Sequence, residues 1–173
     1  SKTVNCASQI SEFIDVLVLE KGDEISSQAT SIDLVSNIIS IQDEAFTHSV
    51  SSVMAPVVVN IANAYDYILL PSTTFGRDLA PRISAILDVN QVTDIMSVEG
   101  PRVFTRPIYA GNAIQKIELS EGHKILATVR TASFKEVGNS NNANVIETAM
   151  PSIDLPTGTK YIRLDSEKTE RPD

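Results

Sequence analysis

The sequence predicts an α/β protein, and three observations lead to that fold class. Nineteen Ile and 16 Val among the 173 residues give a composition that is typical of buried β-strands. Short apolar runs alternate with segments of helical periodicity in the first half, as in βαβ units around a parallel sheet. After Gly100 and Pro101 the pattern changes to strand-length runs separated by turns, which predicts an antiparallel meander in the second half.

The apolar runs of the first hundred residues predict four strands. Most of these runs are continuous rather than alternating, which is typical of strands that are buried on both faces. They lie at residues 16–19, 37–41, 67–70 and 92–98.

The segments between these runs have helical features. Residues 25–35 form a serine-rich candidate helix of poor periodicity. Apolar side chains three and four positions apart predict a helix along residues 46–61, which Pro56 should kink or break. A second apolar stripe predicts a helix along residues 79–87, with Pro81 near its first turn.

The second half predicts three strands in a meander. The runs lie at residues 103–109, 113–119 and 124–130, and they are separated by Gly-Asn and Glu-Gly turn signals. Pro107 should place its strand at a sheet edge or a bulge.

Composition excludes several classes of function. With 14 basic and 22 acidic residues, a net charge of −8 and a pI of about 4.7, the chain has no overall basic surface for nucleic acid. A single cysteine, Cys6, excludes a disulfide framework and a multi-thiolate metal site. The two histidines, His48 and His123, are far apart in sequence and have no cluster of ligands around them. The sequence therefore predicts neither metal chemistry nor a cysteine nucleophile.

Membrane and export signals are also missing from the sequence pattern. The longest apolar stretch, around residues 57–59, is far shorter than the roughly 20 residues of a membrane helix. The first residues lack the order of a signal peptide, so we expect an intracellular location.

The charges are unevenly distributed along the chain. Residues 1–70 carry 2 basic and 9 acidic groups, whereas residues 71–130 carry 7 basic and 6 acidic groups. Such an asymmetry fits a protein partner that recognises a local patch, or simply a solvated acidic face.

Three polar patches are candidates for a functional site. Residues 71–77 form a hydroxyl-rich loop that leads from a predicted strand into a predicted helix and contains Gly76 and Arg77. Ligands in open α/β sheets bind at this end of the strands, so the loop is a candidate for holding an anionic group. The alternative is that Thr73 or Thr74 caps the helix.

The other two patches carry arginines. Residues 106–113 place Arg106 and a tyrosine beside a Gly-Asn turn, which suits a docking edge, although the turn alone explains its Gly and Asn. Arg130 follows the last predicted strand, where it either anchors a phosphate or carboxylate or pairs with a nearby acidic residue.

The same patches resemble the α subunit of electron transfer flavoproteins. Residues 104–113, with residues 92–95 before them, are similar to the most characteristic run of that family. Residues 70–82 resemble its strand–loop–helix, and residues 128–134 and 166–173 match in order and spacing. The resemblance covers nearly the whole chain.

The resemblance implies the N-terminal one of the two α-subunit domains in that family. Its fold is adenine nucleotide alpha hydrolase-like, with three layers in which helices cover both faces of a mostly parallel sheet. We therefore expect this α/β domain over residues 1–165 and a linker over residues 166–173 toward a C-terminal FAD domain. The family opens with an apolar strand, whereas residues 1–10 already resemble the helix after it, so the sheet would lack a strand that is normally central.

The resemblance also implies a function. The family shuttles electrons from acyl-CoA dehydrogenases of fatty acid β-oxidation, and from other dehydrogenases, to FAD and then to a membrane quinone oxidoreductase. FAD is held mainly by the C-terminal domain, and the β subunit, which has the same fold, holds AMP. The chain is therefore expected to be a non-enzymatic part of a heterodimer, without a tightly bound cofactor of its own. It would be cytoplasmic in a bacterium and in the mitochondrial matrix of a eukaryote.

These considerations give two competing hypotheses. In the first, the chain is a scaffold with no catalytic, cofactor-binding or metal residue, and Arg106, Tyr109, Asn112 and Arg130 are candidates for the β-subunit interface. In the second, the chain is an adenine-nucleotide-binding module whose loop from Ser72 to Arg77 receives the phosphate.

Overall fold

A computed structural model describes residues 1–159, 161–163 and 165; helices and strands alternate up to residue 95, and the later elements are strands and single turns. The helices are α1 (Lys2–Ser8), α2 (Glu24–Ala29), α3 (Ser51–Ala62) and α4 (Thr74–Leu87). The strands are β1 (Asp15–Glu20), β2 (Asn37–Gln42), β3 (Tyr67–Pro71), β4 (Gln91–Ile95), β5 (Ser97–Gly100), β6 (Val103–Ile108), β7 (Ala113–Glu118), β8 (Ile125–Val129) and β9 (Asn144–Glu147). Single 3₁₀ turns lie at Glu44–Phe46 and Thr131–Ser133, and a turn with left-handed backbone lies at Tyr109–Gly111. The predicted linker at residues 166–173 lies outside the described residues.

Six strands form two parallel sheets of three strands each. In one sheet β2 lies between β1 and β9, and in the other β8 lies between β3 and β4. The strands β5, β6 and β7 form a third, antiparallel sheet. The predicted α/β fold class, mostly parallel with an antiparallel meander in the second half, is confirmed.

The stacking of the layers is clearest at β8, all five residues of which are buried. On one face Leu126 belongs to the same apolar cluster as Leu79 and Ile83 of α4. On the other face Val129 belongs to a cluster that includes Cys6 of α1 and residues of the antiparallel sheet. Because side chains alternate across a strand, β8 lies between a layer of α3 and α4 and a layer that contains α1. Helices therefore cover both faces, as the predicted three-layer arrangement requires.

The prediction that residues 124–130 form the third strand of the meander is wrong. Those residues contain β8, which pairs in parallel with β3 on one side and with β4 on the other. A strand with both edges paired and both faces covered needs a continuous apolar run, which is what β8 has. The third strand of the meander is β5, which pairs with β6. Pairing on that side ends at Thr105, so Pro107 is paired through β7 alone, at the predicted sheet edge.

Two helices contain an internal proline. Pro56 was predicted to kink or break its helix, and the break is wrong, because α3 continues to Ala62. Pro81 is the eighth residue of α4, so its predicted place near the first turn is also wrong. A proline inside a helix removes one backbone hydrogen bond and destabilises the helix by about 3 kcal/mol. Burial of neighbours such as Ala55 and Ala80 in the shared core offsets that loss.

The outer strands β1 and β3 each hydrogen-bond to a single strand within the described part of the chain. Nevertheless, Leu17 and Leu19 of β1 and Ile68 of β3 pack against the same apolar cluster. The hydroxyl of Tyr65, which lies just before β3, donates a hydrogen bond of 2.6 Å to the carboxylate of Asp15, the first residue of β1. Burial and this carboxylate raise the pKa of Tyr65, so the hydroxyl keeps its proton. The two parallel sheets thus share a core, while β1 and β3 each keep an unpaired edge.

Candidate functional site

A polar cleft opens where β3, β8 and β4 end. The carboxyl ends of parallel strands meet at one edge of a sheet, and this edge is where open α/β sheets bind ligands. The cleft has a volume of about 320 Å³ and is lined by polar side chains: Ser72, Arg77, Gln91, Thr93, Asp94 and Thr128.

The loop that forms one wall of the cleft is shaped by the start of α4. The Thr73 hydroxyl accepts a hydrogen bond of 3.2 Å from the Gly76 backbone N–H, so Thr73 is the N-cap of this helix. A Cβ atom at Gly76 would overlap the Pro71 carbonyl oxygen, which explains why glycine stands there. The cap interpretation of this loop is thereby confirmed, and the cap leaves Ser72 and Arg77 facing the cleft.

A bulge in β4 forms the opposite wall. The pairing of β4 with β8 shifts between Val92 and Ile95, and Asp94 has a φ of 58°, in the left-handed region. The Asp94 backbone N–H donates a hydrogen bond of 2.8 Å to the buried Thr128 hydroxyl. Bulges redirect side chains, and Asp is one of the residues that tolerate this conformation. The prediction of one strand along residues 92–98 is wrong, because β4 ends at Ile95 and pairs with β8, whereas β5 begins at Ser97 and pairs with β6.

Three arginines lie beside this bulge. The Asp94 carboxylate is 3.5 Å from Nη2 of Arg77 and 3.8 Å from Nη1 of Arg130. Arg106 donates a hydrogen bond of 2.8 Å to the hydroxyl of the adjacent Thr93. Arg77 and Arg130 are 63% and 45% exposed, so each ion pair stabilises the fold by at most about 1 kcal/mol. Arg77 lines the cleft, whereas Arg106 and Arg130 flank it through Thr93 and Asp94, so a single carboxylate stands among three guanidinium groups at this edge of the sheet.

The turn between β6 and β7 holds the other two predicted interface residues, Tyr109 and Asn112. Tyr109, Ala110 and Gly111 are all left-handed, with φ values of 50°, 55° and 94°. The Asn112 side chain donates a hydrogen bond of 2.9 Å to the Tyr109 carbonyl, so the turn accounts for Asn112. The Tyr109 side chain is 79% exposed. Non-glycine residues in this region are rare, and here they present an aromatic ring to solvent on a constrained backbone.

The four predicted interface residues therefore fall into two groups. Arg106 and Arg130 come together at the β4 bulge, through Thr93 and Asp94, whereas Tyr109 and Asn112 lie at the end of the hairpin. Sequence reasoning missed Asp94, which lies inside the strand predicted at residues 92–98. A bulge depends on the pairing with a partner strand, so no local sequence pattern predicts it.

The thiol and imidazole groups are placed away from this cleft. Cys6 is completely buried in α1, and burial raises the pKa of its thiol to about 12, as expected of an unreactive core residue. The His48 ring stacks on Tyr161 with 3.7 Å between ring centroids, and His123 is exposed on a loop. Within residues 1–159, 161–163 and 165, no three His, Cys, Asp or Glu residues are grouped to hold a metal ion. The helices in the same ranges are all too short or too polar to cross a membrane.

The fold and the cleft define a class of protein, an α/β domain with a polar cleft, flanked by arginines, at the carboxyl edge of a parallel sheet. The family model of the electron transfer flavoprotein domain matches residues 2–153. The chain therefore belongs to the electron transfer flavoprotein family, and the resemblance predicted from its motifs is confirmed.

The curated relatives carry the name electron transfer flavoprotein subunit alpha. The relative from Pseudomonas aeruginosa is 31% identical over 172 residues, which cover 99% of this chain and 55% of the relative. The relative from Paracoccus denitrificans is 30% identical over 174 residues, which cover 99% of this chain and 56% of the relative. The mitochondrial subunit from Oryza sativa subsp. indica is 33% identical over 152 residues, which cover 84% of this chain and 42% of the relative. The chain thus spans about half the length of the curated relatives it matches and corresponds to their N-terminal domain.

Proposed function

We propose that this chain is the scaffold and β-subunit-interface domain of an electron transfer flavoprotein. The complete protein would carry electrons from acyl-CoA and other dehydrogenases to a membrane quinone oxidoreductase. Residues 1–165 would be the N-terminal domain, and residues 166–173 would lead to a C-terminal domain that holds most of the FAD contacts. The β subunit would hold AMP. The names of the relatives and the length of chain they have beyond this match support the proposal.

The same proposal gives the protein a location. Relatives with this name come from bacteria, and the plant relative is named as mitochondrial. We therefore infer the cytoplasm for a bacterial source and the mitochondrial matrix for a eukaryotic one.

The polar cleft does not fit a flavin. Its volume of about 320 Å³ is at the low end of small-molecule sites, which span about 300–1,000 Å³. Its lining has no aromatic or aliphatic side chain against which an isoalloxazine or an adenine ring would pack. A redox step in this cleft is therefore not proposed, and the hypothesis of an adenine-nucleotide-binding module is not favoured. The role that remains for this chain is to bind and position other parts of the complex.

The exposed Tyr109 on its constrained turn carries the interface proposal. Tyrosine and arginine are the residue types that most often dominate the free energy of protein–protein binding. Arg106 and Arg130 add positive charge near one edge of an acidic chain, which suits a partner surface of opposite charge. Asn112 closes the turn and so holds Tyr109 in place.

Substitution of Tyr109 by Ala tests this interface. We expect Tyr109→Ala to raise the Kd of the complete α subunit for the β subunit about thirtyfold, since a central tyrosine contributes about 2 kcal/mol. The stability of the α subunit should not change, because the ring is exposed. The measurement is binding of the two purified subunits by surface plasmon resonance.

Phe13→Ala is a matched control for this experiment. Phe13 is an aromatic residue that is 84% exposed, and it lies in the loop before β1 rather than in the hairpin. It should leave the Kd unchanged. If Tyr109→Ala binds the β subunit as tightly as the unsubstituted protein does, Tyr109 is not an interface residue.

A further inference from the structure

We propose that the polar cleft at the β4 bulge binds a small oxyanion, a phosphate group, through Arg77. This inference does not rest on the proposed function, because it concerns a cleft of the isolated fold and requires neither a flavin nor a partner subunit. The argument depends on charge, hydrogen-bonding capacity and size.

The charge in the cleft favours an anion. Asp94 is shared by Arg77 and Arg130, so at least one of the two guanidinium charges has no counter-charge within 4 Å among the described residues. Arg106 does not line the cleft, but its guanidinium group donates to the Thr93 hydroxyl and so adds a third positive charge beside the cleft wall. An anion in the cleft therefore meets a net attraction, even though the chain as a whole is acidic.

The hydrogen-bonding geometry leaves donors for a ligand. Nε of Arg77 donates to the Ser72 hydroxyl at 3.0 Å, which fixes the direction of the guanidinium plane. Its contact with Asp94 at 3.5 Å is longer than the 2.7–2.9 Å typical of a charge-assisted hydrogen bond. The planar guanidinium group matches the oxygens of phosphate in a bidentate way, and Asp94 uses little of that capacity.

The hydroxyls of Ser72 and Thr93 line the same cleft, and each accepts a hydrogen bond from an arginine. A hydroxyl that accepts in this way can still donate its own proton to an oxygen of a phosphate group.

The size of the cleft selects a phosphate group rather than a whole nucleotide. A volume of about 320 Å³ lies at the low end of the range of small-molecule sites, which is about 300–1,000 Å³. The lining side chains are all polar and give no stacking surface for a base. A nucleotide should therefore bind through its phosphate alone, with no gain from the base.

The test is a calorimetric titration of the complete protein that carries this chain, together with any subunit that copurifies with it. Inorganic phosphate is added in a zwitterionic buffer, and sodium chloride at equal ionic strength is the reference. We expect Arg77→Gln to weaken phosphate binding about tenfold, since hydrogen bonds to a charged group are lost. Arg82→Gln is the matched control, because Arg82 is exposed on the same helix and does not line the cleft. It should leave the affinity unchanged.

Asp94→Asn gives an effect of the opposite sign, which a damaged fold would not produce. Asn also tolerates the left-handed conformation of this residue, and the variant removes the negative charge that competes with the ligand. We expect phosphate to bind roughly fourfold more tightly, which is the effect of removing one negative charge about 5 Å from an anion in water. Equal binding of phosphate and AMP by the cleft, lost in Arg77→Gln in both cases, would identify the phosphate as the recognised group.

Three outcomes overturn the proposal. They are an absence of phosphate binding above the chloride reference, equal weakening by Arg77→Gln and Arg82→Gln, and no tightening in Asp94→Asn. Failure of the Tyr109 experiment would leave this test unaffected, because phosphate binding is measured independently of subunit affinity.

Discussion

Gly76 is the residue whose replacement has the most predictable consequence. It lies in the first turn of α4, where the Thr73 hydroxyl accepts from its backbone N–H. A side chain at this position would collide with the Pro71 carbonyl oxygen, which belongs to the end of β3 and has no freedom to move aside. The absence of a Cβ atom therefore sets how closely β3 and α4 approach each other beside the cleft.

We expect Gly76→Ala to lower the free energy of unfolding by about 1–3 kcal/mol, because the added methyl group overpacks the junction of β3 and α4. The expected gain in helix propensity of about 1 kcal/mol reduces the loss but does not reverse it. Chemical denaturation followed by circular dichroism measures the change. Gly22→Ala is the control, since a Cβ atom there meets no atom within 4 Å. Equal stability of the two variants would show that the junction is not tightly packed.

Single residues also show where prediction from sequence ends. Thr73, Gly76 and Arg77 were found from sequence because a hydroxyl, a glycine and an arginine follow an apolar run in a recognisable order. Asp94 was not found, because its role depends on a bulge against β8, which is distant in sequence. Local chemistry can be predicted from the sequence, whereas contacts between strands depend on strand pairing, which no local sequence pattern specifies.

At the scale of elements, β1 and α2 are joined through one buried carboxylate. Glu20 is the last residue of β1 and is 6% exposed. Its carboxylate accepts hydrogen bonds of 2.8 and 2.9 Å from the backbone N–H groups of Ile25 and Ser26, in the first turn of α2. Asp23, the N-cap residue by position, makes no such bond. A residue of the preceding strand therefore caps this short helix.

This cap predicts a pH dependence of stability. Burial alone would raise the pKa of the Glu20 carboxyl. Hydrogen bonds from Ser26 and from the Ile25 backbone lower this pKa by more than burial raises it, so the pKa lies below its ordinary value. The stabilisation is therefore complete above the ordinary glutamate pKa of about 4.3 and is lost as the pH falls through the lowered value. Glu20→Gln should lower the free energy of unfolding by about 1–2 kcal/mol at pH 7.

The difference between Glu20→Gln and the unsubstituted protein should shrink at acidic pH, because Glu20 is then protonated in both states. Urea unfolding between pH 7 and pH 3 measures it, with Glu12→Gln, an exposed glutamate, as the control. A difference that stays constant over this range would contradict a role for the charged cap.

The elements were predictable to different degrees. The strands β1, β2 and β3 were found from sequence because each is a continuous apolar run that the core buries. The extent of α2 was wrong: the predicted helix at residues 25–35 is only the six residues Glu24–Ala29. Its serine-rich sequence has weak helical propensity, and the chain after it turns toward β2. The strand at residues 124–130 was found, but the sheet predicted for it was wrong, because a run of five buried residues fits a central parallel strand as well as a hairpin strand.

At the scale of the whole molecule, the net negative charge and the arginines are concentrated in different parts of the chain. The acidic first 70 residues contain β1 to β3 and α1 to α3, whereas the arginines of the cleft and hairpin all come from residues 71–130. The family was recognised from sequence because its characteristic runs lie in that second region, which also forms the cleft. The assignment of partner surfaces remains a prediction, since neither charge nor exposure identifies a partner.

Within the residues that the structure describes, β1 and β3 each keep one edge without a hydrogen-bonded neighbour, and these edges have a consequence for how the isolated chain behaves in solution. Each edge offers a row of backbone donors and acceptors, which is a template for pairing with another copy. Near neutral pH the net charge of −8 opposes such contact, but that repulsion vanishes near the pI of about 4.7. We therefore expect the chain to self-associate most strongly near pH 4.7, with growth of intermolecular β-structure in its infrared amide I band. Sedimentation velocity would measure the association, and an equally monomeric chain at pH 4.7 and pH 7.5 would show that these edges are protected.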